Sequence, residues 1–99
     1  MSKKIFSYED AIALLPAVQQ ITNDAVARLE DVAEHEIEVQ QRIISDWAET
    51  IMGLGIDVKG LWLVDFDNGA GYYCWRYPEP ALEHFHGYEE GFQGRVKLN

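Results

Sequence analysis

From residue 7 to residue 55 apolar side chains recur at intervals of three and four. Leu14, Val18, Ile21, Ala25, Leu29 and Val32 form one such series, and Val39, Ile43, Trp47, Ile51 and Leu54 form another. This spacing predicts amphipathic helix. Ser7 is a suitable N-cap, Asp10 stands at the third helical position as in a capping box, and Phe6 can staple onto Ala11. Pro16 removes one intrahelical bond. No Gly or Pro then occurs until Gly53, which with Gly55 supplies stop signals.

The two series meet at EDVAEHEIE, residues 30–38, where five of nine side chains are acidic and none is basic. Two arrangements fit. One is a helical hairpin with its tip near residues 33–36. The other is one helix of about 45 residues, ~67 Å long, whose apolar stripe a partner chain must cover. The lack of turn formers favours the single helix, and compactness favours the hairpin.

Beyond residue 60 the period changes from 3.6 to 2. LWLVDF at 61–66 and YYCWRY at 72–77 read as strands around Asn68-Gly69, the strongest short hairpin signal. Pro78 and Pro80 break the second strand, and residues 81–86 can return as a third. Residues 88–99 are glycine-punctuated and read as an irregular tail. The expectation is a single α+β domain over 1–99. Its helical part (7–53), as a hairpin or as one long helix paired in a dimer, packs on a two- to three-stranded antiparallel β-meander (60–87).

A two-residue turn at Asn68-Gly69 sets Asp65 opposite Tyr72 and Leu63 opposite Cys74. Alternation then gives one apolar face with Trp62, Val64, Phe66, Tyr73, Trp75 and Tyr77, suited to the helices. The other face carries Leu61, Leu63, Asp65, Tyr72, Cys74 and Arg76. A tight turn at 78–80 puts Cys74 opposite His84 and Tyr72 opposite His86, so that Asp65, Cys74, His84 and His86 share the polar face. A one-residue change in that turn moves both histidines to the other side.

Composition narrows the function classes. Ninety-nine residues make one core, and 47% hydrophobic with 25% charged is an ordinary globular balance. Eight basic against 17 acidic residues, net −9, argue against phosphate-backbone binding and against anionic membrane surfaces. No apolar run approaches a membrane span, and the opening MSKKIFSYED lacks the apolar stretch of a secretory signal. A lone cysteine, Cys74, permits no intrachain disulfide. The expected compartment is the cytoplasm.

Candidate chemistry gathers on the meander. His84 and His86, two apart, present imidazoles on one side of a strand, and with Cys74 or Asp65 they are candidate ligands for zinc or another divalent transition metal. Without CxxC or HExxH, hydrogen bonding of the same histidines to Tyr72, Asp65 or backbone is the competing account. Cys74 beside Trp75 reads first as a packed residue. Glu79, held between two prolines, presents a carboxylate at low entropy cost. Asp65 and Arg76 are a candidate cross-strand pair. GFQGR at 91–95 lacks the lysine and the following helix of a phosphate loop, and reads as a coil pinned by Phe92 in the core with Arg95 paired to an acid. The acidic run at 30–38 lacks a calcium-loop pattern.

Several of these segments resemble one known family. FSYEDAIALLP at 6–16, GLWLVDF at 60–66, Tyr73-Cys74-Trp75-Arg76, Glu79, Phe85-His86 and GFQGR at 91–95 follow the order and spacing of the small bacterial domain-of-unknown-function family 2203. The inter-helix linker and the 67–71 loop are shorter here, and Asp67 stands where proline is common. The resemblance implies no activity. It places Asp65, Cys74, Glu79 and His86, but not His84, within the family pattern.

Two functions follow as expectations. The first is an interaction or assembly module, a homodimer through its helices, with a ligand or partner site at Asp65, Glu79, His86 and Arg95. Leu29, Val32, Ile37, Val39 and Ile43 lie far from the sheet and motivate the dimer. The second is a divalent-metal domain, possibly hydrolytic, using Asp65, Cys74, Glu79 and His86 with His84 as auxiliary.

Overall fold

The computed structural model describes residues 4–98, so the ends of the 1–99 domain reading, residues 1–3 and 99, lie outside the described residues. Two helices, α1 (Tyr8–Glu30) and α2 (Ile37–Gly53), precede a sheet of β1 (Asp57–Gly60), β2 (Leu63–Asp67), β3 (Tyr72–Arg76), β4 (His84–His86) and β5 (Val96–Lys97). The five strands are antiparallel and ordered as in the chain. The α+β class holds, while the expected two or three strands become five.

α1 starts as its sequence specifies. Ser7 Oγ accepts from the Asp10 amide at 3.0 Å, and the Asp10 carboxylate accepts from the Ser7 amide. Two of the four unpaired amides of a helix start are thereby served. Residues 31–36 are not helical, so no single continuous helix forms. The break has no glycine or proline. Instead the Gln40 side-chain amide donates to the carbonyls of Ala33 and Glu34, both at 3.1 Å, and closes the tip from within α2. α2 ends at Gly53 with Leu54 as its C-cap, and Gly55 follows with φ +86°, the left-handed conformation that glycine adopts without strain.

The helices meet through Trp47, whose Nε1–H donates to Thr22 Oγ1 at 2.9 Å in a buried contact. Their apolar stripes cover one face of the sheet. The core joins Phe6, Ala11, Leu15 and Val18 with Ile43, Trp47 and Ile51, and with Val64, Phe66, Trp75 and Leu82 from the sheet side. Ile43 is buried, and Leu29 and Val32 are partly buried against the same cluster, so three of the five side chains that motivated a dimer are covered within the chain. Ile37 (52% exposed) and Val39 (38%) remain at the surface. No helix among the described residues is long and apolar enough to cross a membrane.

The β2–β3 register differs from expectation by two residues. Asp65 pairs with Cys74, Leu63 with Arg76 and Asp67 with Tyr72. The loop is four residues long because side chains, not a two-residue turn, organise it. Asn68 Oδ1 accepts from the amides of Ala70 and Gly71, and Asp67 Oδ1 accepts from Gly69. A shift of two leaves every side chain on its expected face, since the strand period is two. Asp65 therefore faces Cys74, not Tyr72, and it does not form the suggested pair with Arg76. The strand expected from residue 61 begins at 63. Trp62 sits in the β1–β2 turn with φ +59°, an unusual conformation for a bulky residue, while its ring packs edge-on against Trp47 at 4.9 Å. β3 and β4 take the in-phase register: Cys74 opposes His84 and Tyr72 opposes His86. The tail is not wholly irregular. It forms a short 3-10 turn (Phe92–Gly94) and β5, which pairs with β4.

Candidate metal centre

The sheet face away from the helices holds two linked groups of polar side chains. The first is Asp65, Cys74 and His86, from β2, β3 and β4. All three are buried, and one ligating atom from each lies within 4.8 Å of the other two. Asp65 and Cys74 are direct cross-strand partners. His86 stands two residues beyond the partner of Cys74, on the same face. His86 Nε2 is 2.9 Å from Asp65 Oδ2, and His86 Nδ1 is 2.9 Å from the carbonyl oxygen of Gly87.

A carbonyl only accepts, so Nδ1 carries a hydrogen. Nε2 then faces a carboxylate oxygen, and the short contact requires a proton or another cation between the two. Asp65 Oδ1 is buried without a hydrogen-bond partner. A buried carboxylate oxygen without a full partner is costly in a dry site, and the Cys74 thiol is placed to donate weakly to this carboxylate. Burial first, and then the Asp65 carboxylate, push the Cys74 thiol up to about 12 against a lowering by Arg95. At neutral pH the unligated sulfur is a thiol and a poor nucleophile.

Each of the three has an outer partner. His86 has the Gly87 carbonyl. Asp65 has the Lys59 ammonium 3.9 Å from its Oδ2, and Lys59 itself lies over the Tyr72 ring at 4.1 Å. Cys74 has Arg95 Nη1 3.9 Å from its sulfur. The three donors form the floor of a cleft of about 330 Å³ walled by Lys59, Leu63, Glu90 and Phe92.

The second group is Glu79, Arg95 and His84. Arg95 binds Glu79 with both guanidinium nitrogens, Nη1 to Oε1 at 3.0 Å and Nη2 to Oε2. Glu79 also accepts from the Arg76 amide at 2.8 Å. Burial pushes the Glu79 carboxyl up, but the bonds from Arg95 and Arg76 and the Arg95 charge outweigh it and hold the group below its usual 4.5. His84 Nδ1 lies 3.8 Å from Glu79 Oε2, too far for a hydrogen bond, and is buried without a partner. Arg95 is the bridge between the groups, and its guanidinium also stacks on Phe92 at 4.1 Å.

The sequence-derived candidates therefore divide. Asp65, Cys74 and His86 converge. Glu79 and Arg95 form an ion pair beside them, and His84, though on the same face, turns to Glu79. Phe92 is half-buried between guanidinium groups, not seated in the core. Lys59 and Glu90 belong to the cleft but carried no sequence signal. Lys59 lies on a four-residue strand with one branched apolar residue, and Glu90 lies on the tail, where its Oε1 accepts from the Gly87 amide at 2.9 Å.

No curated protein and no solved structure matches the chain. A family model does, over residues 30–98, a span that holds α2, all five strands and every donor described above but not the 6–16 segment. Its description is Uncharacterized conserved protein (DUF2203), and the chain belongs to that family.

Proposed function

We propose that the domain binds one divalent transition metal, with zinc the best fit, through Asp65 Oδ2, Cys74 Sγ and His86 Nε2. The observation that carries this reading is the convergence of three buried donors, each with an outer partner of the kind that orients a metal ligand. Tetrahedral donors 2.0–2.3 Å from a common centre lie about 3.3–3.8 Å apart. Closing on an ion thus asks the 2.9 Å Asp65–His86 contact to open by a few tenths of an ångström and the wider separations to shrink by up to about 1 Å. A carboxylate and a thiolate neutralise a divalent ion, and one imidazole, one sulfur and one oxygen suit zinc. Three protein ligands leave a fourth position open, the pattern of a reactive or ligand-exchanging site more than of a closed structural one.

Native mass spectrometry of protein purified without chelator tests this. The expected result is one zinc per chain, with Cys74→Ser and His86→Gln folded but metal-free. Metal-free wild-type protein after zinc supplementation, or equal loading of both variants, overturns it. The assembly reading now rests on Ile37 and Val39 at the start of α2, and the same spectrum, by the number of subunits, decides whether a homodimer forms through the paired helices.

A further inference from the structure

We infer that the fourth position of this metal takes a small carboxylate with an apolar body, shared between the ion and the Lys59 ammonium; the inference rests on the metal reading above. The three protein donors rise from the sheet as the floor of the cleft, so the remaining position points into it. The cleft wall there carries a cation. Lys59 Nζ stands 3.9 Å from Asp65 Oδ2, an oxygen in the donor set, and is steadied over the Tyr72 ring. Once Asp65 is committed to the ion, the ammonium is left with a weakened partner beside the open position. A carboxylate satisfies both cations with its two oxygens, one on the metal and one on Lys59.

The rest of the wall selects among anions. Leu63 and Phe92 are apolar and suit a hydrocarbon body. Glu90 also lines the cleft, its carboxylate turned onto the Gly87 amide. Its negative charge repels an added anion and repels a doubly charged one more strongly, which sets a monocarboxylate above inorganic phosphate or a dicarboxylate. Arg95 is committed to Glu79 and to the sulfur side, so it offers phosphate no compensating clamp.

The test uses full-length protein loaded with cobalt(II), whose thiolate charge-transfer band reports the metal–Cys74 bond and whose visible bands report the fourth ligand. Titration with acetate, phenylacetate and inorganic phosphate is expected to shift the visible bands saturably with the two carboxylates, more tightly with phenylacetate, and weakly with phosphate. Lys59→Met also removes the outer partner of Asp65, so it is titrated in excess cobalt(II), where the charge-transfer band reports the loaded fraction, and carboxylate binding to that loaded fraction is expected to weaken by about tenfold or more. Phe92→Ala is expected to erase the advantage of phenylacetate. An intact charge-transfer band with no response to carboxylate, a response led by phosphate, or a Lys59→Met titration equal to wild type overturns this inference and leaves the metal reading standing. Absence of the charge-transfer band overturns both.

Discussion

The buried Asp65–His86 contact sets a quantitative expectation for metal-free protein. Asp65 is 1% and His86 3% exposed. Asp65→Ala removes the hydrogen-bond partner that His86 Nε2 has among the described residues, leaving a polar ring nitrogen dry beside a new cavity. Breaking one side of a buried pair costs about 3–5 kcal/mol. A domain of this size holds only ~5–15 kcal/mol in total, so Asp65→Ala is expected to be largely unfolded or to melt far below wild type. Asp65→Asn is the informative contrast. Its amide donates to Nε2 of a neutral ring whose Nδ1–H still serves Gly87, and only the charge is lost. The expected cost is about 1–2 kcal/mol, or roughly 4–16 °C in melting temperature. The assay is thermal denaturation by circular dichroism in chelator and then in excess zinc. Zinc at a hundred times its dissociation constant is expected to add about 2.7 kcal/mol to wild type and far less to the Asn variant. If Asp65→Ala without metal melts within a few degrees of wild type, the pair is not the buried, mutually dependent unit described here.

Three further outcomes are expected. The Glu79 carboxyl is held below its unfolded value, so its contribution to stability is complete above about pH 4.5 and is lost as pH falls through the folded value; in acid melts the gap between wild type and Glu79→Gln should narrow below pH 4.5, and a constant gap refutes the Arg95 bond as its source. The Cys74 thiol is raised from 9.0 to about 12, so its contribution is complete below pH 9 and is lost between pH 9 and 12; native metal-free protein at pH 8 should resist iodoacetamide until denaturant is added, and rapid native alkylation counts against the burial described. Trp75→Ala should cost about 3–5 kcal/mol in urea melts and exposed Arg76→Ala under about 1 kcal/mol, and equal midpoints refute the assignment of the two faces.

The facial sorting of the meander was legible because side-chain alternation survives an error of two residues. The turn at Asn68 was misread by two, yet Val64, Phe66 and Trp75 still lie in the core and Asp65 and Cys74 still lie opposite it. What escaped sequence reading lacked a local signature. β1 is Asp57-Val58-Lys59-Gly60, with no apolar run, and β5 is two exposed residues whose strand character comes from pairing with β4. The helix break depends on Gln40, seven residues after one of the carbonyls it caps. His84 and His86 share strand and face, and no local pattern marks that His84 lies beside the Arg95–Glu79 ion pair and not with the other donors.

The donors of the candidate centre come from three strands that follow one another in the chain and pair with their neighbours, all between residues 65 and 86. The cost of closing a loop grows only with the logarithm of its length, so these side chains meet through short closures that do not await the docking of α1 and α2. Contacts so local form quickly. The short sequence separations lead to the expectation that the meander and its donor set form before the two-layer core closes, which pulse-labelled hydrogen exchange of the β2–β4 amides would check. The helices cover the opposite face of the sheet and leave the cleft on the outer side.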